Sequence, residues 1–150
     1  MRMVFDTNVL INGFQDDFSA PNRLLEAVQE GKITAVVTPR IKKEYRLILQ
    51  RLIKNDQYRK HIEKFLKEAE VVQPQLNDIP IDDLEDRKFI EAALGGQADI
   101  IVSNDHHLLD IGEVGAISIR TPQEAWRFYE DQEEGSSEWQ QFITGLGIGR

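Results

Sequence analysis

MVFDTNVLI, residues 3–11, is an apolar run that a carboxylate, Asp6, breaks into. The residues before it, RMVF (2–5), predict a first β-strand that Asp6 closes. A charge inside a buried segment is costly unless something compensates it, so Asp6 is the acid least readily explained as surface polarity. Working outward, ITAVV (33–37) predicts a second strand and DIIVS (99–103) a third. Between them the pattern changes to helical period. A helix is expected from about Pro21 to Glu30, stopped by Gly31. Thr38 is the N-cap and Pro39 the first position of a helix running to about Lys54, and a second basic helix covers about 57–69. Asp83 or Asp82 caps LEDRKFIEAAL (84–94), which Gly95 and Gly96 end. A short helical turn follows Asp105. A last strand near 116–119 leads into Thr121-Pro122-Gln123-Glu124, a capping box whose helix is expected to end near Glu130. Strands alternating with helices are the signature of an α/β domain with a mostly parallel sheet.

That domain is expected over residues 1–130. Residues 131–150, acidic and then glycine-rich, read as a C-terminal tail, with Trp139, Phe142 and Ile143 offering apolar groups for docking onto the domain or onto a partner. With 41% hydrophobic and 29% charged residues the chain has a globular rather than a disordered balance. No apolar run approaches the ~20 residues that span a bilayer, and MRMVFDTNVL reads as a strand rather than a signal peptide. The sequence contains no cysteine, which excludes disulfides and thiolate metal sites and fits a cytoplasmic location.

Net charge is −8, unevenly spread. Residues 40–67 hold ten Lys or Arg against Glu44, Asp56 and Glu63, a net +7 that leaves −15 for the rest. Such a segment suits a polyanion. Lys43, Arg46 and Lys54 fall loosely on one helix face, and Lys60, Lys64 and Lys67 on another. Arg40, Lys43, Arg46, Lys54, Lys60 and Lys64 are the candidate contacts to such a polyanion. The plainer reading is two solvated helices.

In a parallel sheet the ends of the three strands share one edge, where open α/β folds place their ligand sites. Asp6, Thr38 and Ser103-Asn104-Asp105 stand at those ends. Glu44 lies one and a half turns into the helix that starts there, and Asp86 in the first turn of another. Asp99 stands at the wrong end of its strand, and Asp110 reads as a helix-end residue. Each acid has a plainer reading: Asp105 as a turn or helix cap, Glu44 as a surface charge beside Arg40 or Lys43, Asp86 as part of a cap with Asp83. If all four converge, two charges ~4 Å apart repel by roughly 4 kcal/mol at an effective dielectric of ~20. The motifs around the acids are read as supplying no cation, so protons or metal ions must compensate. Hard oxygen ligands without cysteine select Mg²⁺ or Mn²⁺, and two such ions balance four carboxylates and clamp an in-line attack on phosphorus.

VFDTNVLI (4–11), LEDRKFIEAAL (84–94) and ADIIVSNDHHLL (98–109) resemble the three hallmark segments of PIN domains. TPRIKKEY (38–45) is similar to the segment that supplies the family's glutamate, and RTPQEAW (120–126) to its closing helix. The resemblance covers residues 1 to about 128. It implies a three-layer α/β/α sandwich around a mostly parallel sheet, and a divalent-metal-dependent ribonuclease whose acids are Asp6, Glu44, Asp86 and Asp105. Asn8 and Ser103 match its supporting polar positions. Many relatives carry another Asp at the position held here by His107; His106 and His107 are expected to be exposed helix residues. Short single-domain members are often VapC-like toxins of toxin–antitoxin modules, which implies an RNA substrate, a cognate antitoxin and a homodimer. Alternatives are a PIN-type RNA processing or decay nuclease, and a non-catalytic RNA- or partner-binding module. An aspartyl-phosphate phosphatase needs a second Asp where Asn8 stands.

Overall fold

The structure, a computed structural model, describes residues 1–81 and 83–146, with only the backbone described at 136–138. In chain order its elements are β1 (Arg2–Phe5), α1 (Thr7–Gln15), α2 (Ala20–Gln29), β2 (Thr34–Val37), α3 (Pro39–Leu52), α4 (Asp56–Glu68), β3 (Glu70–Val71), α5 (Leu84–Gly95), β4 (Ile100–Val102), α6 (His106–Leu109), β5 (Glu113–Val114), β6 (Ile117–Arg120) and α7 (Pro122–Gly145). The strands form one six-stranded sheet in the order β3-β2-β1-β4-β6-β5. β1 runs parallel to β2, with Met3 beside Ala35, and to β4, with Phe5 beside Val102. β2–β3 and β4–β6 are also parallel, and the two-residue β5 turns back antiparallel to β6. Met3, Val4, Phe5, Ile100, Ile101 and Val102 are all buried. Consecutive strand residues point to opposite faces, so helices must cover the sheet on both sides, as the three-layer sandwich requires.

Strand order fixes where a site can form. From β1 the chain winds out to β2 and β3 on one side, then returns to β4 and β6 on the other. The carboxyl ends of β1 and β4 therefore flank the crevice where the winding reverses. α3 is held to that edge by Thr38, whose hydroxyl caps the Ile41 N–H, and by Ile41, Tyr45 and Leu49, buried at four-residue spacing. The Tyr45 hydroxyl donates to the Phe5 carbonyl at the end of β1, which brings its neighbour Glu44 to the strand end. Phe65 of α4 packs edge-on against Phe5 and Phe14 with ring centroids 6.2 and 6.0 Å apart. α5 lies on β1, β2 and β4, capped by the Asp83 carboxylate on the Glu85 N–H. The alternative cap, Asp82, lies outside the described residues.

One expectation is corrected, and three elements go beyond the sequence reading. Residues 7–15 are a helix that the apolar run does not announce. Asp6 ends β1, as expected, and caps α1, accepting the Asn8 N–H. Two-residue β3 and β5 were too short for any periodicity to register. The last helix starts at the predicted capping box but does not stop near Glu130. It runs on to Gly145, through Gly135, which costs only about 1 kcal/mol in a helix. Trp139 and Phe142 stack on this extension with centroids 5.6 Å apart and are exposed, and Ile143 is half-buried. The tail's last residues, 147–150, lie outside the described residues. No helix among the described residues is long and apolar enough to cross a membrane.

Candidate active site

Asp6, Glu44, Asp86 and Asp105 all line one cleft of about 380 Å³ at the carboxyl edge of the sheet. Asp6 and Asp86 are buried, while Asp105 and Glu44 are half-exposed. Ser103, fully buried at the end of β4, ties two acids together. Its hydroxyl donates to Asp6 Oδ2 at 2.7 Å and accepts the Asp105 N–H at 2.9 Å. Asn8 supports Asp6 through its backbone N–H at 3.2 Å, with its side chain exposed. Asp105 caps α6 by accepting the His107 N–H at 2.8 Å. Asp86 Oδ2 is buried without a hydrogen-bond partner. An orphaned carboxylate oxygen facing other acids fits a bound cation, which satisfies it and offsets the repulsion. Asp86, Asp105 and His107 each offer a ligand atom within 4.8 Å of the others. His107 is exposed as expected, yet its Nδ1 lies 3.1 Å from Asp105 Oδ1. His106 is exposed on α6.

Lys88 is the residue that sequence reasoning passed over, and it corrects the reading that the site's motifs bring no cation. Buried in the cleft wall, its ammonium lies 2.5 Å from Glu44 Oε1 and 2.7 Å from Glu85 Oε2. Thr7, also missed, donates its hydroxyl to the other Glu44 oxygen at 3.0 Å. A signal for Lys88 existed: Phe89 and Ala92, one and four positions on, belong to the buried arc of α5. A lysine on that arc needs a partner.

Burial raises the Asp6 pKa and Asp105 adds repulsion, while the Ser103 hydroxyl, the Asn8 N–H and Lys88 pull it back. Asp86 is raised by burial, then by Asp105, Asp83 and Asp6. Burial opposes the charge of Lys88, but the bonds to Glu44 and Glu85 outweigh it and the pKa rises. An acid raised in the fold makes the folded state bind more protons than the unfolded chain. Stability then falls as pH climbs from the ordinary value of 3.8 through the raised one. Glu85 and Glu124 are lowered by their hydrogen bonds with Lys88 and Thr121, but they are exposed and screened. The metal-free protein is therefore expected to melt at a progressively lower temperature as pH climbs from about 3.8 through the raised values of Asp6 and Asp86, with the slope reduced in Asp86→Asn. A melting temperature that rises over this range, or an unchanged slope in the variant, contradicts the crowding of acids.

The cations proposed for RNA are not brought to one place. Arg40 stands at the cleft, 3.6 Å from Glu85. Arg46 and Lys64, with Lys42 and Lys67, line a separate groove between α3 and α4, where Lys64 is 3.9 Å from Glu68. Residues two apart on a helix point to opposite sides, so Arg46 looks away from Glu44. Lys43, Lys54 and Lys60 are exposed.

The sequence model of the family described as "PIN domain" matches residues 2–107. An uncharacterized protein of Methanocaldococcus jannaschii is 27% identical over 117 residues, covering 74% of this chain and 75% of that protein. Among solved structures, the crystal structure of VapBC2 from Rickettsia felis bound to a DNA fragment from their promoter aligns with a TM-score of 0.54 at 13% identity, over 81% of this chain and 98% of that one. That likeness is one of fold.

Proposed function

The chain belongs to the PIN-domain family, and from that premise we propose that it is a divalent-metal-dependent ribonuclease, the toxin of a toxin–antitoxin module. The observation that carries the nuclease reading is the convergence of Asp6, Glu44, Asp86 and Asp105 on one cleft, with Asp86 Oδ2 left without a partner. The donors are hard oxygens and the sequence has no thiol, which favours Mg²⁺ or Mn²⁺. When bound, such an ion activates a water and stabilises the leaving oxygen of a phosphodiester. The protein's own groups prepare that event. Ser103 locks Asp6 and Asp105 in one register, and Lys88 and Thr7 fix both oxygens of Glu44. The buried surroundings of Asp6 and Asp86 strengthen the field of an ion held there.

The decisive experiment is cleavage of a labelled single-stranded RNA with Mg²⁺ or Mn²⁺, with EDTA, and after metal is restored. Cleavage lost in EDTA and regained with metal is expected. Undiminished cleavage in EDTA sinks the metal mechanism, and RNA bound but never cut sinks the enzyme. The toxin role draws on the family and on the fold shared with VapBC2. It predicts a small DNA-binding protein, the antitoxin, in the neighbouring reading frame. A homodimer and a cytoplasmic location belong to the same reading.

RNA is proposed to approach over α3 and α4, through Arg40, Lys43, Arg46, Lys54, Lys60 and Lys64. Affinity for a polyanion falls with salt, by a log–log slope of about 0.7 per phosphate contact on a single strand. Arg40→Glu, at the cleft itself, is expected to raise KM and flatten the salt dependence more than Lys60→Glu with Lys64→Glu. A larger effect from the α4 pair would make α4 the track. No effect from either at low salt removes the basic segment from the substrate surface.

A further inference from the structure

Resting on the metal-dependent reading above, we propose that Lys88 is a built-in counter-cation standing where a second metal ion would otherwise sit, so that the centre takes one divalent ion on the side of Asp86 and Asp105 while Glu44 is reserved for the lysine. The four acids do not have equal freedom. Glu44 has both oxygens engaged, Oε1 by the Lys88 ammonium at 2.5 Å and Oε2 by the Thr7 hydroxyl at 3.0 Å. Asp86 has a buried oxygen with no partner at all. The ligand atoms that come within 4.8 Å of one another belong to Asp86, Asp105 and His107; neither Glu44 nor Asp6, whose oxygens accept from Asn8 and Ser103, is among them. Free acceptor capacity is thus gathered on one side of the cleft and satisfied on the other.

Lys88 is also held in place. Its second partner, Glu85 Oε2, lies 2.7 Å away, and the ammonium sits 5.1 Å from the centre of the Phe89 ring. Only 5% of the residue is exposed, so a swing into solvent would strand Glu44 and open a void. A dication coordinated by Glu44 would lie within a few ångströms of that ammonium, whose burial leaves the two like charges little screened. Lys88 is accordingly a positioning residue. It acts through Glu44 and through the charge of the cleft, giving a fixed positive charge on the side facing α3.

The test measures Mn²⁺ binding to the full-length protein by calorimetry and by electron paramagnetic resonance. The wild type is expected to bind one ion with an uncoupled spectrum. Lys88→Met frees Glu44 and removes a repelling charge. It is expected to bind the first ion about tenfold tighter and to admit a second, spin-coupled one. Lys88→Arg keeps the charge and is expected to stay at one ion. The double variant Glu44→Gln, Lys88→Met removes both charges and is also expected to return to one ion. Two coupled ions in the wild type, or one ion at unchanged affinity in Lys88→Met, overturn the inference and leave the metal-dependent reading standing. No saturable Mn²⁺ binding by the wild type overturns that reading itself, and this inference with it. Wild-type stoichiometry decides the matter even if the single lysine variant does not fold.

Discussion

Asp105→Asn is expected to lower RNA cleavage by about a hundred- to a thousandfold while raising the melting temperature of the metal-free protein. The two effects have one cause. Asp105 adds negative charge beside Asp6 and Asp86 and pushes the pKa of both upward, so its charge costs folding energy until a cation arrives. Asparagine can still accept the His107 N–H that Asp105 caps at 2.8 Å, and Asn is as good an N-cap as Asp. The fold is therefore preserved and the repulsion relieved. What disappears is a charged ligand, and a lost charge-stabilising group in an active site is worth about 3–4 kcal/mol, which gives the stated loss in rate. Asp6→Asn is expected to lose activity equally but gain less stability, since Asp6 accepts from both Ser103 and Asn8 and an amide has one acceptor oxygen for the two donors. Asp99 is the control. It accepts the Arg2 N–H at 2.8 Å at the amino ends of the strands, so Asp99→Asn should leave cleavage near wild type. The measurements are single-turnover cleavage and a thermal melt without metal. Near-full activity in Asp105→Asn would remove it from the centre.

The site edge was legible because the signals there are local. Thr38 followed by Pro39, and Thr121 followed by Pro122, are caps whose chemistry involves residues three apart, and both caps form. The β1, β2 and β4 strands are buried on both faces, which gives unbroken apolar runs ending in polar residues. From those ends the placement of Asp6 and Asp105 follows. α1 was not legible for a related reason. TNVLINGFQ is rich in β-branched and turn-forming residues, and its first residue follows an acid that serves as both strand end and helix cap. Its helical face, Val9, Leu10, Gly13 and Phe14, is short enough to pass for a continued strand. The role of Lys88 was missed because its partner in the site is remote: Glu44 is 44 residues away, and no periodicity in one segment reports an ion pair made with another. The direction of the basic surface was not legible for a similar reason. A run of Lys and Arg fixes a charge but not a face, and Arg46 and Glu44 share a helix while looking opposite ways.

Gly95→Ala is expected to destabilise the protein by about 3 kcal/mol, lowering its melting temperature by about 6–12 °C, although alanine is the better helix former. From the sequence Gly95 reads as a stop for the preceding helix, a role that alanine would fill only slightly worse. The structure gives it another role. Gly95 is the last residue of α5, and a methyl there would lie 1.8 Å from the Gln73 carbonyl oxygen and 3.1 Å from the Gln75 nitrogen. Both obstacles are backbone, so no side-chain rotation relieves them. The same strand-end segment is anchored by Val72 N–H to the Val37 carbonyl at 2.8 Å and by Gln75 N–H to the Glu91 carbonyl at 3.0 Å. Making room means parting α5 from that segment and losing the second bond. It also shifts the helix that carries Asp86 and Lys88, so cleavage should fall along with stability. Gly135, inside α7 with nothing within 4 Å of an added Cβ, isolates the propensity effect. Gly135→Ala is expected to stabilise by about 0.5–1 kcal/mol. Opposite signs for the two substitutions in thermal melts support close packing of α5 against residues 73–75. If Gly95→Ala melts as high as the wild type, that packing is not what positions α5, and the placement of Asp86 and Lys88 must rest on the sheet alone.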